Sequence, residues 1–154
     1  MNCQQPIRDL IKIRQWRTEK AQRALTKARQ ELNETRQALA AIDDRIRQLQ
    51  HSTQMAGADY CADTSIPINQ LLMAQMHLQG LREALLKTQA QRSESEASNR
   101  VAESHYQSKL TAYHQLQTQV DSLEIHHRRQ QQQLLIQQVV REEELTGDQW
   151  RPRY

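Results

Sequence analysis

The chain has 154 residues, a formal net charge of +3, 4% aromatic residues and no Phe. Only three Gly and three Pro interrupt a composition rich in Gln, Arg, Ala, Leu and Glu. This composition excludes a large globular core and is typical of long helices. The apolar periodicity described below also argues against a fully disordered chain. We therefore expect a single coiled-coil domain over residues 1–154.

Charge is distributed unevenly along the chain. Residues 1–30 contain eight Lys or Arg against two acidic residues, and an acidic run occupies residues 142–144. A basic helix can bind nucleic acid, an anionic membrane or an acidic protein surface, although more often it is simply a solvated charged face. The sequence has no signal-peptide pattern and no apolar run of the roughly 20 residues that a membrane span needs. With two isolated cysteines, Cys3 and Cys61, these features predict a soluble, cytoplasmic protein with free thiols.

The first predicted helix covers about residues 6–53, with Pro6 in its first turn. Apolar or small residues recur there at alternating three- and four-residue steps, the spacing of a coiled-coil seam. The seam comprises Ile7, Ile11, Arg14, Thr18, Ala21, Leu25, Ala28, Leu32, Thr35, Leu39, Ile42, Ile46 and Leu49. Leu10, Ile13 and Trp16 lie beside it and widen the apolar surface beyond what two helices require.

A loop is predicted over about residues 54–66, because Gly, Asp, Thr and Ser replace the heptads there. Pro67 starts a second helix over about residues 67–144, and a disordered tail is expected over residues 145–154. The second seam runs from Leu71 to Leu134 through a polar middle at residues 93–100.

Two helices joined by a short loop pack antiparallel, so the predicted fold is all-α: two long antiparallel helices forming a coiled-coil hairpin, with the second helix longer. A turn near residues 59–60 makes the numbers of facing residues add up to about 120. Ala21, Ala24 and Ala28 then face the serines of residues 93–98. Either these small residues let the two helices pack closely, or this part of the coiled coil is weakly packed. Residues 116–144 are expected to have no partner within the hairpin.

The sequence contains no pattern that predicts catalysis. None of the six His has a second His four residues away, and no Gly-rich phosphate loop occurs. The paired carboxylates Asp43 and Asp44 are expected on an exposed helix, which offers no concave pocket for catalysis. We expect a protein that is not an enzyme and has no cofactor or metal.

Several stretches resemble the YscO/FliJ-type stalk proteins of type III secretion and flagellar export. They are the N-terminal IRDLIKIRQWRTEKAQRALTKARQEL, the polar second helix and the late QQLLIQQVVREEEL. Matching positions are Arg8, Leu10, Lys12, Ile13, Arg17, Glu19, Ala21, Ala24, Ala28 and Val140 with residues 141–144. The resemblance covers most of the chain as a pattern rather than as sharp motifs.

The resemblance implies a central stalk whose joined ends enter a hexameric export ATPase and promote its activity. The region near the loop would contact an export gate membrane protein, and secretion chaperones would also bind. The protein would then lie in the cytoplasm, peripheral to the inner membrane, without direct insertion. The expected ATPase-facing residues are Leu10, Ile13, Arg14, Trp16, Arg17, Leu135, Val139, Val140 and Arg141. The expected gate-facing residues are Ile46, Leu49, Leu72, Met73 and Met76.

Two other functions are compatible with the same sequence features. The first is a structural homodimeric coiled-coil spacer or scaffold that associates through the unpaired C-terminal part. The second is a nucleic-acid or membrane-surface binder that uses the basic first helix. The interleaved acidic residues and the lack of aromatic stacking positions disfavour nucleic acid as a partner.

Overall fold

The structure is a computed structural model that describes residues 5–62 and 65–149. It contains two helices, α1 over Gln5–Ala62 and α2 over Ile68–Gln149. No strand occurs among these residues. The predicted fold class is confirmed: the protein is an all-α helical hairpin in which the second helix, with 82 residues, is longer than the first, with 58.

The predicted end of the first helix is wrong, because α1 continues through the expected loop to Ala62. Thr53, Ala56 and Tyr60 are half-buried and extend the three- and four-residue spacing of the seam. Gly57 costs only about 1 kcal/mol in a helix interior, a penalty that continued packing offsets.

The second helix begins next to Pro67, as predicted. The carbonyl oxygen of Pro67 accepts hydrogen bonds from the backbone N–H groups of Gln70 and Leu71, at 3.0 and 3.1 Å. Proline suits this position because it has no N–H group to leave unpaired. The helix does not end near Glu144, since the residues up to Gln149 are also helical. The expected disorder of residues 150–154 lies outside the described residues.

The chain divides into two compact units. Unit 2 contains Thr26–Ser108, and its α1 and α2 segments bury Ala28, Leu32, Leu49 and Ala74 between them. Unit 1 contains Met1–Leu25 and Lys109–Tyr154, and its most buried apolar side chain is Val120 among the residues described.

Paired polar side chains fix the register of the two helices in unit 2. Arg92 Nε donates a 2.6 Å hydrogen bond to Asp43 Oδ1, and Thr35 Oγ1 donates a 3.1 Å hydrogen bond to Asn99 Oδ1. The numbers of these facing residues add up to about 135. The predicted value of about 120 is therefore wrong, because the turn lies after Ala62 rather than near residues 59–60.

Unit 1 has the same register. Arg14 donates a hydrogen bond to Gln119, and Gln15 Nε2 donates one of 3.1 Å to Glu124 Oε1, so facing residues add up to about 136. The expectation that residues 116–144 lack a partner is wrong for the first half of that range. Val120 is buried and Leu123 is half-buried, whereas every side chain over residues 132–147 is exposed.

The corrected register also changes what faces the three alanines. Ala21 and Ala24 in unit 1 lie at the level of Tyr113, and Ala28 in unit 2 lies at the level of Tyr106. The predicted pairing of these alanines with the serines of residues 93–98 is therefore wrong. Small residues of α1 instead face the two half-buried tyrosines of α2.

Candidate protein-binding surface

The α1 segment of unit 1 carries large apolar side chains on its outer face. Leu10 and Ile13 are exposed, and Trp16 exposes 61% of its surface. At 100° per residue, Ile13 and Trp16 lie on the side of the helix away from the seam that faces α2. Lys20 Nζ lies 5.6 Å from the centre of the Trp16 ring, in a cation–π contact that leaves most of the indole accessible.

The α2 segment of unit 1 has a second exposed apolar stripe. Its members recur with helical spacing on the face opposite the seam residues Leu123 and His127. They are Ile125, Leu135, Ile136, Val139 and Val140, all of them exposed. Scattered exposed apolar residues are ordinary, but clustered ones such as Leu135, Ile136, Val139 and Val140 on one helix are typical of a surface that binds another protein.

All of the predicted ATPase-facing residues belong to unit 1. Every one is exposed except Arg14, which is half-buried and hydrogen-bonded to Gln119. The α1 and α2 groups are neighbours rather than one cluster, because Leu10 lies at the level of Ile125, about 15 Å before Leu135 along the axis. Ile125 itself was missed by sequence reasoning, although its spacing from Leu135 and Val139 marks the same face.

The predicted gate-facing residues are not brought together. Ile46 and Leu49 are buried against α2, with exposures of 9% and 5%, so they cannot form a contact surface. The register places them near residues 86–90, more than two helical turns from Met76. Leu72, Met73 and Met76 are exposed and remain the part of this set that a partner can reach.

One imidazole nitrogen in unit 1 has no partner. Nδ1 of His127 is buried and makes no hydrogen bond within the described residues, while Nε2 lies 3.1 Å from Gln131 Nε2. A buried polar atom without a partner costs about 1–3 kcal/mol. His127 therefore weakens the seam of unit 1 just before the exposed part of α2.

Unit 2 contains an open groove of about 470 Å³ between Asp43, Ile46, Arg92 and Glu96. The hydrogen bond from Arg92 to Asp43, together with the charges of Asp43 and Glu96, raises the pKa of Arg92. The guanidinium is thus already paired, and the groove offers a neutralised ion-pair cluster rather than a catalytic group. Among the described residues, no three His, Cys, Asp or Glu side chains lie close enough to hold a metal ion.

Neither described helix contains a stretch long and apolar enough to cross a membrane. Comparison of the chain with models of protein families, with curated proteins and with solved structures gives no match. The exposed apolar side chains on the outer faces of unit 1 are the feature most directly related to function.

Proposed function

We propose that this protein is a central stalk of the export ATPase of a type III secretion or flagellar export system. In this role unit 1 inserts into the hexameric ATPase and promotes its activity, and the protein itself performs no catalysis. The resemblance of the N-terminal and late stretches to YscO/FliJ-type proteins suggests the partner.

The observation that carries the proposal is the position of the apolar side chains in unit 1. Trp16 on α1 and Val139 on α2 both face away from the seam, so apolar contact is available on the outer sides of both helices. A flat partner would cover only one side, whereas a ring or socket surrounds both. Exposed basic residues beside Trp16, such as Arg17 and Lys20, would add attraction to any acidic side chains on the partner.

In the same proposal, unit 2 contacts the export gate near the turn. Leu72, Met73 and Met76 are exposed there, and methionine side chains adapt readily to a partner surface. The resemblance also implies binding of secretion chaperones, for which we assign no residues.

Copurification with a hexameric export ATPase, followed by measurement of ATP turnover with and without this chain, tests the proposal. We expect a stable complex and faster turnover. Trp16→Asp and Val140→Asp, made separately, should each lower complex formation at least tenfold, because each puts a charge into a desolvated contact.

Val101→Asp is the matched control, since Val101 is 70% exposed and lies in unit 2. It should leave the complex and turnover unchanged, and all three variants should retain the helical circular dichroism of the parent. A chain that neither binds the ATPase nor alters its turnover would refute the stalk function.

A further inference from the structure

On the outer face of α2 in unit 1, basic residues precede a group of exposed apolar residues and acidic residues follow it. Arg128 and Arg129 precede the apolar residues Leu135, Ile136, Val139 and Val140 of the stripe, and the acidic run Glu142–Glu144 follows them. Helical geometry places both arginines and Glu143 on the face of Ile136 and Val139. All of these side chains are exposed.

The two charged ends are symmetric about one residue. Arg128 and Arg129 precede Ile136 by eight and seven positions, and Glu143 and Glu144 follow it by seven and eight. At about 1.5 Å per residue, each charged end therefore lies about 11 Å from Ile136 along the helix. None of these charged groups takes part in an ion pair within the described residues.

We propose that this face binds a second copy of the same chain. The two α2 helices pack antiparallel around a two-fold axis near Ile136, with the apolar stripe in the centre. Arg129 of each copy then faces Glu143 of the other, with Arg128 and Glu144 at the same level on the flanks of the contact. The partner need supply no different surface, because a two-fold contact requires only a self-complementary patch.

Charge selects the antiparallel arrangement. A parallel pair would set the arginines of the two copies against each other and do the same with the glutamates, which like-charge repulsion opposes. The antiparallel pair instead sets the arginine end of each copy against the glutamate end of the other. The apolar stripe supplies the affinity, since burial removes Leu135, Ile136 and Val139 from water.

The expected affinity is modest. Two helical faces of about 20 residues bury less area than the roughly 1,200 Å² of a stable interface, so we expect a weak, reversible dimer. The dimer uses Val139 and Val140, which the proposed ATPase contact also uses, so one binding event excludes the other. The dimer does not rest on the proposed function, because the isolated chain must form it without any ATPase.

Sedimentation velocity of the full chain from about 1 to about 200 µM tests the proposal. We expect a reversible monomer–dimer equilibrium that weakens as salt screens the ion pairs. Two charge-swapped chains provide the specific test. The first carries Arg128→Glu with Arg129→Glu, and the second carries Glu143→Arg with Glu144→Arg.

Each swapped chain alone should dimerise at least tenfold more weakly than the parent, because like charges then face each other. An equimolar mixture of the two should form a heterodimer as tightly as the parent forms its homodimer. The matched control is Arg82→Glu with Lys87→Glu in unit 2, which lowers the net charge of the chain as much as the first swap does. This control should leave dimerisation unchanged.

A cysteine placed on the axis gives a second measurement. In a background with Cys3→Ser and Cys61→Ser, Ile136→Cys should oxidise to a disulfide-linked dimer, whereas Gln138→Cys, which lies toward the seam side, should not. A chain that remains monomeric at about 200 µM, or swapped chains that fail to pair when mixed, would overturn the proposal.

Discussion

Polar side chains in the seam differ in whether they find a hydrogen-bond partner. Thr18 and Thr88 are buried, and each donates a hydrogen bond to the carbonyl four residues earlier, at 2.9 and 2.7 Å. A threonine can therefore replace an apolar seam residue without an unpaired hydroxyl. His127 has no such route, because its Nδ1 atom lies buried without a partner in the described part of the chain.

We expect His127→Leu to stabilise the protein. The substitution removes the unpaired nitrogen and adds apolar contact in the seam, so the free energy of unfolding should rise by about 1 kcal/mol. Urea unfolding followed by circular dichroism measures the change. His126→Leu is the control, because His126 is exposed, and its effect should stay within about 0.5 kcal/mol. Equal effects at the two positions would show that Nδ1 of His127 has a hydrogen-bond partner after all.

At the level of elements, the heptad spacing predicted both helices and Pro67 predicted the start of α2. The end of α1 could not be predicted from large apolar residues, because Thr53, Ala56 and Tyr60 continue the seam with small or polar side chains. Gly and Asp are loop signals only where packing does not compensate for their low helix propensity. Ile46 and Leu49 were assigned to a binding surface because they are large and apolar, but their positions in the seam bury them.

Gly57→Ala tests the corrected end of α1. A Cβ atom at residue 57 meets no neighbouring atom within 4 Å, so alanine should raise the free energy of unfolding by about 0.5–1 kcal/mol through higher helix propensity. Gly80→Ala is the reference, because Gly80 lies inside α2 and is equally unobstructed. Thermal unfolding of both variants should give similar gains. A gain at Gly80 with none at Gly57 would place residue 57 in a loop.

At the level of the whole chain, the sequence predicted antiparallel pairing but not its register. The register depends on the turn, and a shift of the turn by a few residues displaces every facing pair by twice that number. Ser93–Arg100 therefore faces the middle of α1 rather than its beginning, and the exposed stretch of α2 begins near residue 132. The outer residues Leu10, Ile13 and Trp16 were predictable because they lie off the seam whatever the register is.

Disulfide trapping distinguishes the two registers. In a background with Cys3→Ser and Cys61→Ser, the pair Thr35→Cys and Asn99→Cys should form an intramolecular disulfide, because these side chains are hydrogen-bonded to each other. Thr35→Cys and Leu85→Cys would face each other only if the turn lay near residue 60. This pair should stay reduced, because its Cα atoms lie farther apart than the roughly 7 Å that a disulfide can bridge. Mobility on non-reducing gels reports the outcome, and trapping of the second pair would contradict the register.

The spacing of the helix–helix pairs along the chain sets the order in which they form. Asp43 and Arg92 are separated by 49 residues, whereas Arg14 and Gln119 are separated by 105. Because closing a longer loop costs more conformational entropy, we expect contacts in unit 2 to form before those in unit 1. The contacts of unit 1 are likewise expected to open first in local fluctuations. A protein bound to the outer faces of unit 1, as we propose, would therefore act next to the helix pairs that are expected to form last.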